Sequence, residues 1–118
     1  MTRIEDLITK VREAKEPSRE LFLSVLGYLV GGEPRGFEVS AFIYAHAWTE
    51  AALTLVEMKL PGWEWSFGTN HAAKGLFIAI ITEDPIRSPD YTGNAPHPAL
   101  SIILSLLMAV KETDHDAG

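Results

Sequence analysis

The chain has 118 residues, of which 47% are hydrophobic and none is cysteine, and its formal net charge is −6. This size and composition predict one domain with a modest core, and they exclude disulfide frameworks and thiolate chemistry. Residues 61–118 carry three basic and seven acidic side chains. Because Lys and Arg are needed to bind phosphate backbones, we expect no direct nucleic-acid partner. The start of the chain has no signal-peptide pattern, and no apolar run approaches the about 20 residues of a membrane span. We therefore expect a soluble, cytoplasmic protein that does not engage membranes.

Two helices are predicted at the start of the chain. Thr2 and Glu5 form a capping-box pattern, and apolar residues then recur at a spacing of three to four over residues 3–15. A second helix follows, with Pro17 in its first turn and Gly27 as its stop.

The middle of the chain begins with a turn and continues as a helix. The sequence GGEPRG, residues 31–36, is rich in Gly and Pro and matches no phosphate-binding loop. A helix is predicted from about Trp48 to Met58, and Pro61 with the following Gly ends it. Residues 39–45 either extend this helix or form an extended lead-in.

An antiparallel hairpin is predicted next. Large rings alternate with polar residues in the first strand, residues 63–68, and the second strand, residues 75–82, is β-branched and apolar on both faces. Something must therefore cover both faces of the second strand, either within the chain or from a partner. Residues 83–97 form a long acidic, Pro-rich loop, and the part around Tyr91 is a candidate third strand at the sheet edge.

The last helix is predicted over residues 98–112, followed by a frayed tail at 113–118. Its side chains are apolar on nearly all sides, so it is either buried between the sheet and the other helices or partly an interface. The prediction is one α+β domain, with an N-terminal helical pair in 1–30 and a helix-hairpin-helix core in 38–112. A small antiparallel sheet of two or three strands is packed with helices in an α/β/α-like layering.

Three segments carry a family resemblance, and they are PSRELFLSVLG, EAALTLVEMKLPGWEWSFG and APHPALSIILSLLMAVKE. Their order resembles small proteins encoded in bacteriophage and prophage genomes, the phage ABA-sandwich domain family, over about two thirds of the chain. The chain differs from that pattern in its long loop 83–97 and in His97, which stands where a Thr cap is usual. The resemblance implies a small layered α+β fold and a phage setting, and it implies no activity.

The rings of Trp63, Trp65 and Phe67 are the most conspicuous side chains in the sequence. We interpret them as core residues packed under the helices, because alternation is typical of a half-buried strand. The alternative is an exposed face on which bases or another partner stack, and Lys59 and Lys74 are the nearby cations.

The four histidines, at positions 46, 71, 97 and 115, lack the spacing of a metal pair. His71 in the hairpin loop could meet Asp84 or Asp90 in space, and a Ser-His-Asp arrangement stays open because such triads are defined by geometry. No Gly-x-Ser-x-Gly elbow is present. We expect no enzyme, no metal and no cofactor.

The favoured functional hypothesis is a non-enzymatic phage or prophage accessory protein in a bacterial host that binds another protein. An inhibitor of a host defence system is one member of that class, and a basic partner surface or a homodimer would fit the acidity and the excess of apolar side chains. The candidate contact residues are Glu83, Asp84, Asp90, Tyr91, Ile102 and Leu106. The alternative is a small-ligand binder or hydrolase with a pocket under the loop 83–97, near Trp65 and His71.

Overall fold

The computed structural model describes residues 2–31 and 33–117, without the side chains of residues 114–117. This part of the chain forms five helices and one antiparallel sheet of three strands, so the α+β class is confirmed. In chain order the elements are α1 (Arg3–Glu13), α2 (Arg19–Leu29), α3 (Gly36–Tyr44), α4 (Trp48–Lys59), β1 (Glu64–Thr69), β2 (Phe77–Thr82), β3 (Asp90–Ala95) and α5 (Pro98–Ala117).

The first two helices begin at side-chain caps. The Thr2 hydroxyl accepts a hydrogen bond from the backbone N–H of Glu5, as the capping-box pattern predicts. The cap of α2 is Ser18, so Pro17 lies before the helix and not in its first turn. The prediction that Gly27 ends α2 is wrong, because the helix continues for two more residues and buries Leu29. The chain then turns at Gly31, whose φ of +54° lies in the region that glycine tolerates best.

The ambiguous residues 39–45 are mostly helical and belong to α3, a helix separate from α4. The break between the two helices lies at Ala45–Ala47, where His46 has a φ of +59°. The His46 ring stacks on Trp48 with ring centroids 5.0 Å apart. The two helices are therefore separated at a left-handed residue, in a segment without Gly or Pro for which the sequence predicted either a longer α4 or an extended lead-in.

The sheet is a meander in the order β1-β2-β3, with every neighbouring pair antiparallel. The predicted hairpin is confirmed, and the segment around Tyr91 is the third strand. Cross-strand partners lie on the same face of a sheet. One face therefore carries the rows Trp65–Ile81–Tyr91 and Phe67–Ala79–Gly93, and the other carries Ser66–Ile80–Thr92 and Gly68–Ile78–Asn94.

Helix α5 packs on the first of these faces, and Gly93 permits the approach. A Cβ built on Gly93 would lie 2.4 Å from the carbonyl oxygen of Ser101 and 2.8 Å from the backbone nitrogen of Ser105. Both serines are fully buried. The Ser105 hydroxyl donates to the carbonyl of Tyr91, and the Ser101 hydroxyl donates to the carbonyl of Pro98. The polar stripe of the helix is thus the side that contacts the sheet backbone.

The layers follow the order sheet, α5 and then the remaining helices. Among the described helices, α5 makes the extensive contacts with the sheet, and α1 and α4 pack on the other side of α5. Burial on both sides explains why its sequence is apolar nearly all round. It continues to Ala117, so residues 113–117, predicted as a frayed tail, are helical, and Gly118 lies outside the described residues.

The alternative in which the chain itself covers both faces of β2 is wrong, because the described residues cover one face only. Ala79 and Ile81 on the α5 side are buried, whereas Ile78 and Ile80 on the other side are half-buried. We call this second side the open face, because no helix of the described part of the chain packs extensively on it.

Candidate functional site

Trp65 and Phe67 lie on the outer strand of the sheet, and we call this pair the aromatic edge. They share a face with α5, but that helix lies over β2 and β3 and scarcely reaches β1. Trp65 is 41% exposed and Phe67 is 40% exposed, and their rings stack with centroids 6.1 Å apart. The interpretation of these two rings as core residues is therefore wrong. The alternating pattern correctly indicated that they share the face on which α5 packs, but it did not indicate that α5 leaves the outer strand of that face uncovered.

Trp63 behaves differently from the two rings that follow it. It lies just before β1, is half-buried, and packs against the core. Its ring centroid is 6.1 Å from that of Tyr91, on the far strand of the sheet. The core interpretation therefore holds for this tryptophan, which anchors the start of the sheet.

Two shallow grooves flank Trp65. One, of about 250 Å³, lies between the end of α4 and the start of β1 and includes Glu57. The other, of about 270 Å³, runs beside the open face and includes Glu64, Asp90 and Pro85. Within the described part of the chain, the residues that line the two grooves contribute three carboxylates and no cation. The surroundings of the aromatic edge therefore attract positive charge.

The predicted contact residues of the long loop lie close to the second groove. Glu83 and Asp90 are exposed, and Asp90 is itself part of the lining. Asp84 accepts a hydrogen bond from the backbone N–H of Ile86, which tightens the loop as an Asx turn. The hydroxyl of Thr82 lies within hydrogen-bond distance of the carbonyls of Asp84 and Pro89 and fastens both ends of the loop. Four of the six predicted residues, with Tyr91 half-buried, are thus brought to one end of the sheet.

The other two predicted contact residues do not lie on the surface. Ile102 is 2% exposed and Leu106 is fully buried, because α5 is the middle layer. Their assignment to a partner surface is therefore wrong. A helix that is apolar on nearly all sides fits either a buried position or an interface, and the sequence pattern alone left that choice open.

His71 does not meet Asp84 or Asp90. It lies in the β1–β2 connection, whereas both aspartates lie at the β2–β3 end of the sheet. A strand of six residues separates the two ends by about 17 Å. Within the described residues, no group of three or more His, Asp or Glu side chains could hold a metal ion.

His97 acts as the cap of α5. Its Nδ1 accepts a hydrogen bond of 3.0 Å from the backbone N–H of Ala99. At the start of many helices, a Ser or Thr hydroxyl oxygen accepts this bond. Desolvation by burial lowers the pKa of His97 below its ordinary value of 6.5. Protonation of Nδ1 would also break the cap and place a positive charge at a helix N-terminus.

A second exposed apolar surface lies on α3, where the sequence reasoning predicted no separate helix. Phe37, Ala41 and Tyr44 are exposed along one side, and Phe37 is 85% exposed. Arg19 of α2 lies over the Tyr44 ring at 4.8 Å from its centroid. These three residues are separated by four and three positions, which is typical of one face of a helix. The sequence therefore contained the pattern of a second apolar stripe, beside the buried Val39 and Ile43.

None of the described helices combines the length and apolar character required to cross a bilayer. Neither a family model, nor a curated protein, nor a solved structure matches this chain.

Proposed function

We propose that this protein is a non-enzymatic binding protein that takes an extended segment of another protein onto the free edge of β1. The observation that carries the proposal is the pair of exposed, stacked rings of Trp65 and Phe67 on an outer strand. An outer strand offers a row of backbone groups to which a new strand can pair, and alternate side chains then contact the rings.

The strand lacks the features that usually prevent such pairing. Outer strands are commonly blocked by Lys, Pro or a bulge. The sequence of β1 is EWSFGT, with neither residue, and its register with β2 is one to one over all six positions. Exposed aromatic side chains are also enriched among the residues that dominate binding energy at interfaces. These properties favour strand addition at β1.

The chemistry of the grooves selects the partner. Glu57, Glu64 and Asp90 flank Trp65, and Glu83 lies exposed in the adjacent loop. A segment that alternates apolar residues with Lys or Arg would place its apolar side chains on the rings and its cations beside these carboxylates. The same carboxylates repel a phosphate backbone, which favours a protein over a nucleic acid as the partner.

The resemblance to the phage ABA-sandwich family supports a phage or prophage accessory role in the cytoplasm of a bacterial host. Within that role, an inhibitor of a host defence system is a suitable class. Enzymes of such systems use basic channels for nucleic acid, and an acidic protein can occupy a basic channel by charge complementarity.

A short peptide tests the proposal without knowledge of the natural partner. The probe is a fluorescein-labelled peptide that alternates valine and lysine, and its binding is followed by fluorescence anisotropy. We expect the double variant Trp65→Ser/Phe67→Ser to bind at least tenfold more weakly than the parent. Phe37→Ser removes an even more exposed ring, on α3 and away from β1, and is the control for which the affinity should not change.

Three results would contradict the proposal. One is equal affinity of the parent and the double variant, and another is equal binding of a peptide that alternates valine and glutamate. The third comes from sedimentation of the protein alone. If the parent is a dimer and the double variant a monomer, the segment on β1 belongs to a second copy and not to another protein.

A further inference from the structure

A separate groove lies where α1, α5 and the start of β3 meet, away from the aromatic edge. Its volume is about 370 Å³, which is within the range of about 300–1,000 Å³ for small-molecule sites. Ile8, Tyr91 and Met108 contribute apolar surface to it, and Pro89 borders it. Ile8 is buried, and Met108 and Tyr91 are half-buried, so the apolar lining comes from three different elements.

The charged residues of this groove differ from those around Trp65. Arg12 of α1 and Lys111 of α5 approach it from two helices, and Glu112 is the single carboxylate among the lining residues that the structure describes. Among the side chains that the structure describes, neither cation forms an ion pair. The described lining residues therefore carry a net charge of one positive unit, in a chain whose formal net charge is −6.

We infer that this groove binds a small amphipathic carboxylate, with its apolar body on Ile8, Tyr91 and Met108 and its carboxylate between Arg12 and Lys111. A single negative charge balances the lining, and the guanidinium of Arg12 can donate two parallel hydrogen bonds to a carboxylate. Burying the apolar body gives a favourable contribution that a simple anion lacks. This inference does not depend on the proposed function of the aromatic edge.

Decanoate is the probe, and intrinsic tryptophan fluorescence is the signal. Trp63 reports on the groove because its ring centroid is 6.1 Å from that of Tyr91, which lines it. Decanol supplies the same chain without the charge, and acetate supplies the charge without the chain. We expect saturable binding of decanoate, at least tenfold weaker binding of decanol, and no measurable binding of acetate.

The double variant Arg12→Gln/Lys111→Gln should weaken decanoate binding at least tenfold and leave decanol binding unchanged. The control is Lys10→Gln/Lys15→Gln, which removes the same net charge from exposed positions outside the groove. Thermal melts of both double variants establish that they are folded.

The inference is overturned by any of three results. They are equal affinities for decanoate and decanol, equal losses of decanoate affinity in the two double variants, and no saturable binding below the concentration at which decanoate aggregates.

Discussion

Gly93 of β3 lies directly against the backbone of Ser101 in α5, with no room for a side chain between them. A Cβ at position 93 would be 2.4 Å from the Ser101 carbonyl oxygen and 3.0 Å from the Cβ of Leu104. Since the close atoms belong mainly to backbone, they cannot rotate away as the end of a flexible side chain would. The contact fixes how closely the middle layer of the fold approaches the sheet.

Gly93→Ala should therefore destabilise the protein by about 3 kcal/mol, because the helix must move off the strand. Chemical denaturation measures the change in the free energy of unfolding. The matched control is Gly68→Ala in β1, where nothing lies within 4 Å of the added Cβ. The control should be neutral or slightly stabilising. A Gly93→Ala protein as stable as the parent would show that α5 does not pack on β3 as described.

The sequence predicted the elements whose signal is local. The hairpin, the capping box at Thr2 and the final helix from Pro98 all follow from spacing and cap chemistry, and all three are present. The solvent exposure of the Trp65 and Phe67 rings could not be predicted in the same way. Alternation states which face of β1 Trp65 occupies, but exposure depends on how far across the sheet α5 extends.

The break at His46 and the burial of Ile102 have the same explanation. No residue type in the sequence indicates that a histidine adopts a left-handed backbone conformation. The sequence of an apolar helix face is also the same whether that face is buried within the chain or against a partner. These features are set by packing between distant segments, which periodicity within one segment does not record.

The three rings of the Trp63–Phe67 segment should differ in their effect on stability. Trp63→Ala removes a ring that packs against the core and should cost about 3 kcal/mol. Trp65→Ala and Phe67→Ala remove rings that are about 40% exposed and should each cost about 1 kcal/mol. Thermal melts of the three variants test this order. Equal losses for all three would mean that the aromatic edge is covered.

The cap at His97 should make stability depend on pH. Because the pKa of His97 is lowered in the folded state, the unfolded chain binds a proton more readily. The contribution of the neutral ring is therefore fully present above about pH 6.5 and is lost as the pH falls from there through the lower folded pKa.

His97→Asn keeps an acceptor at the cap but does not titrate, so the dependence of stability on pH in this window should become shallower. His71→Asn, in the hairpin loop, is the control and should retain the dependence of the parent. Denaturation midpoints between pH 7.5 and 5 provide the comparison. If His97→Asn and the parent show the same loss of stability toward low pH, titration of His97 does not control the cap.

Amide hydrogen exchange, followed by NMR with and without the valine–lysine peptide, tests whether the peptide pairs with the edge of β1. Strand addition at β1 predicts that alternate amides of Glu64–Thr69, those that face outward, gain protection on binding, while the amides of β3, Asp90–Ala95, exchange as before. Saturable peptide binding that leaves the exchange of every β1 amide unchanged would contradict the claim, since the peptide would then not be paired with the edge strand.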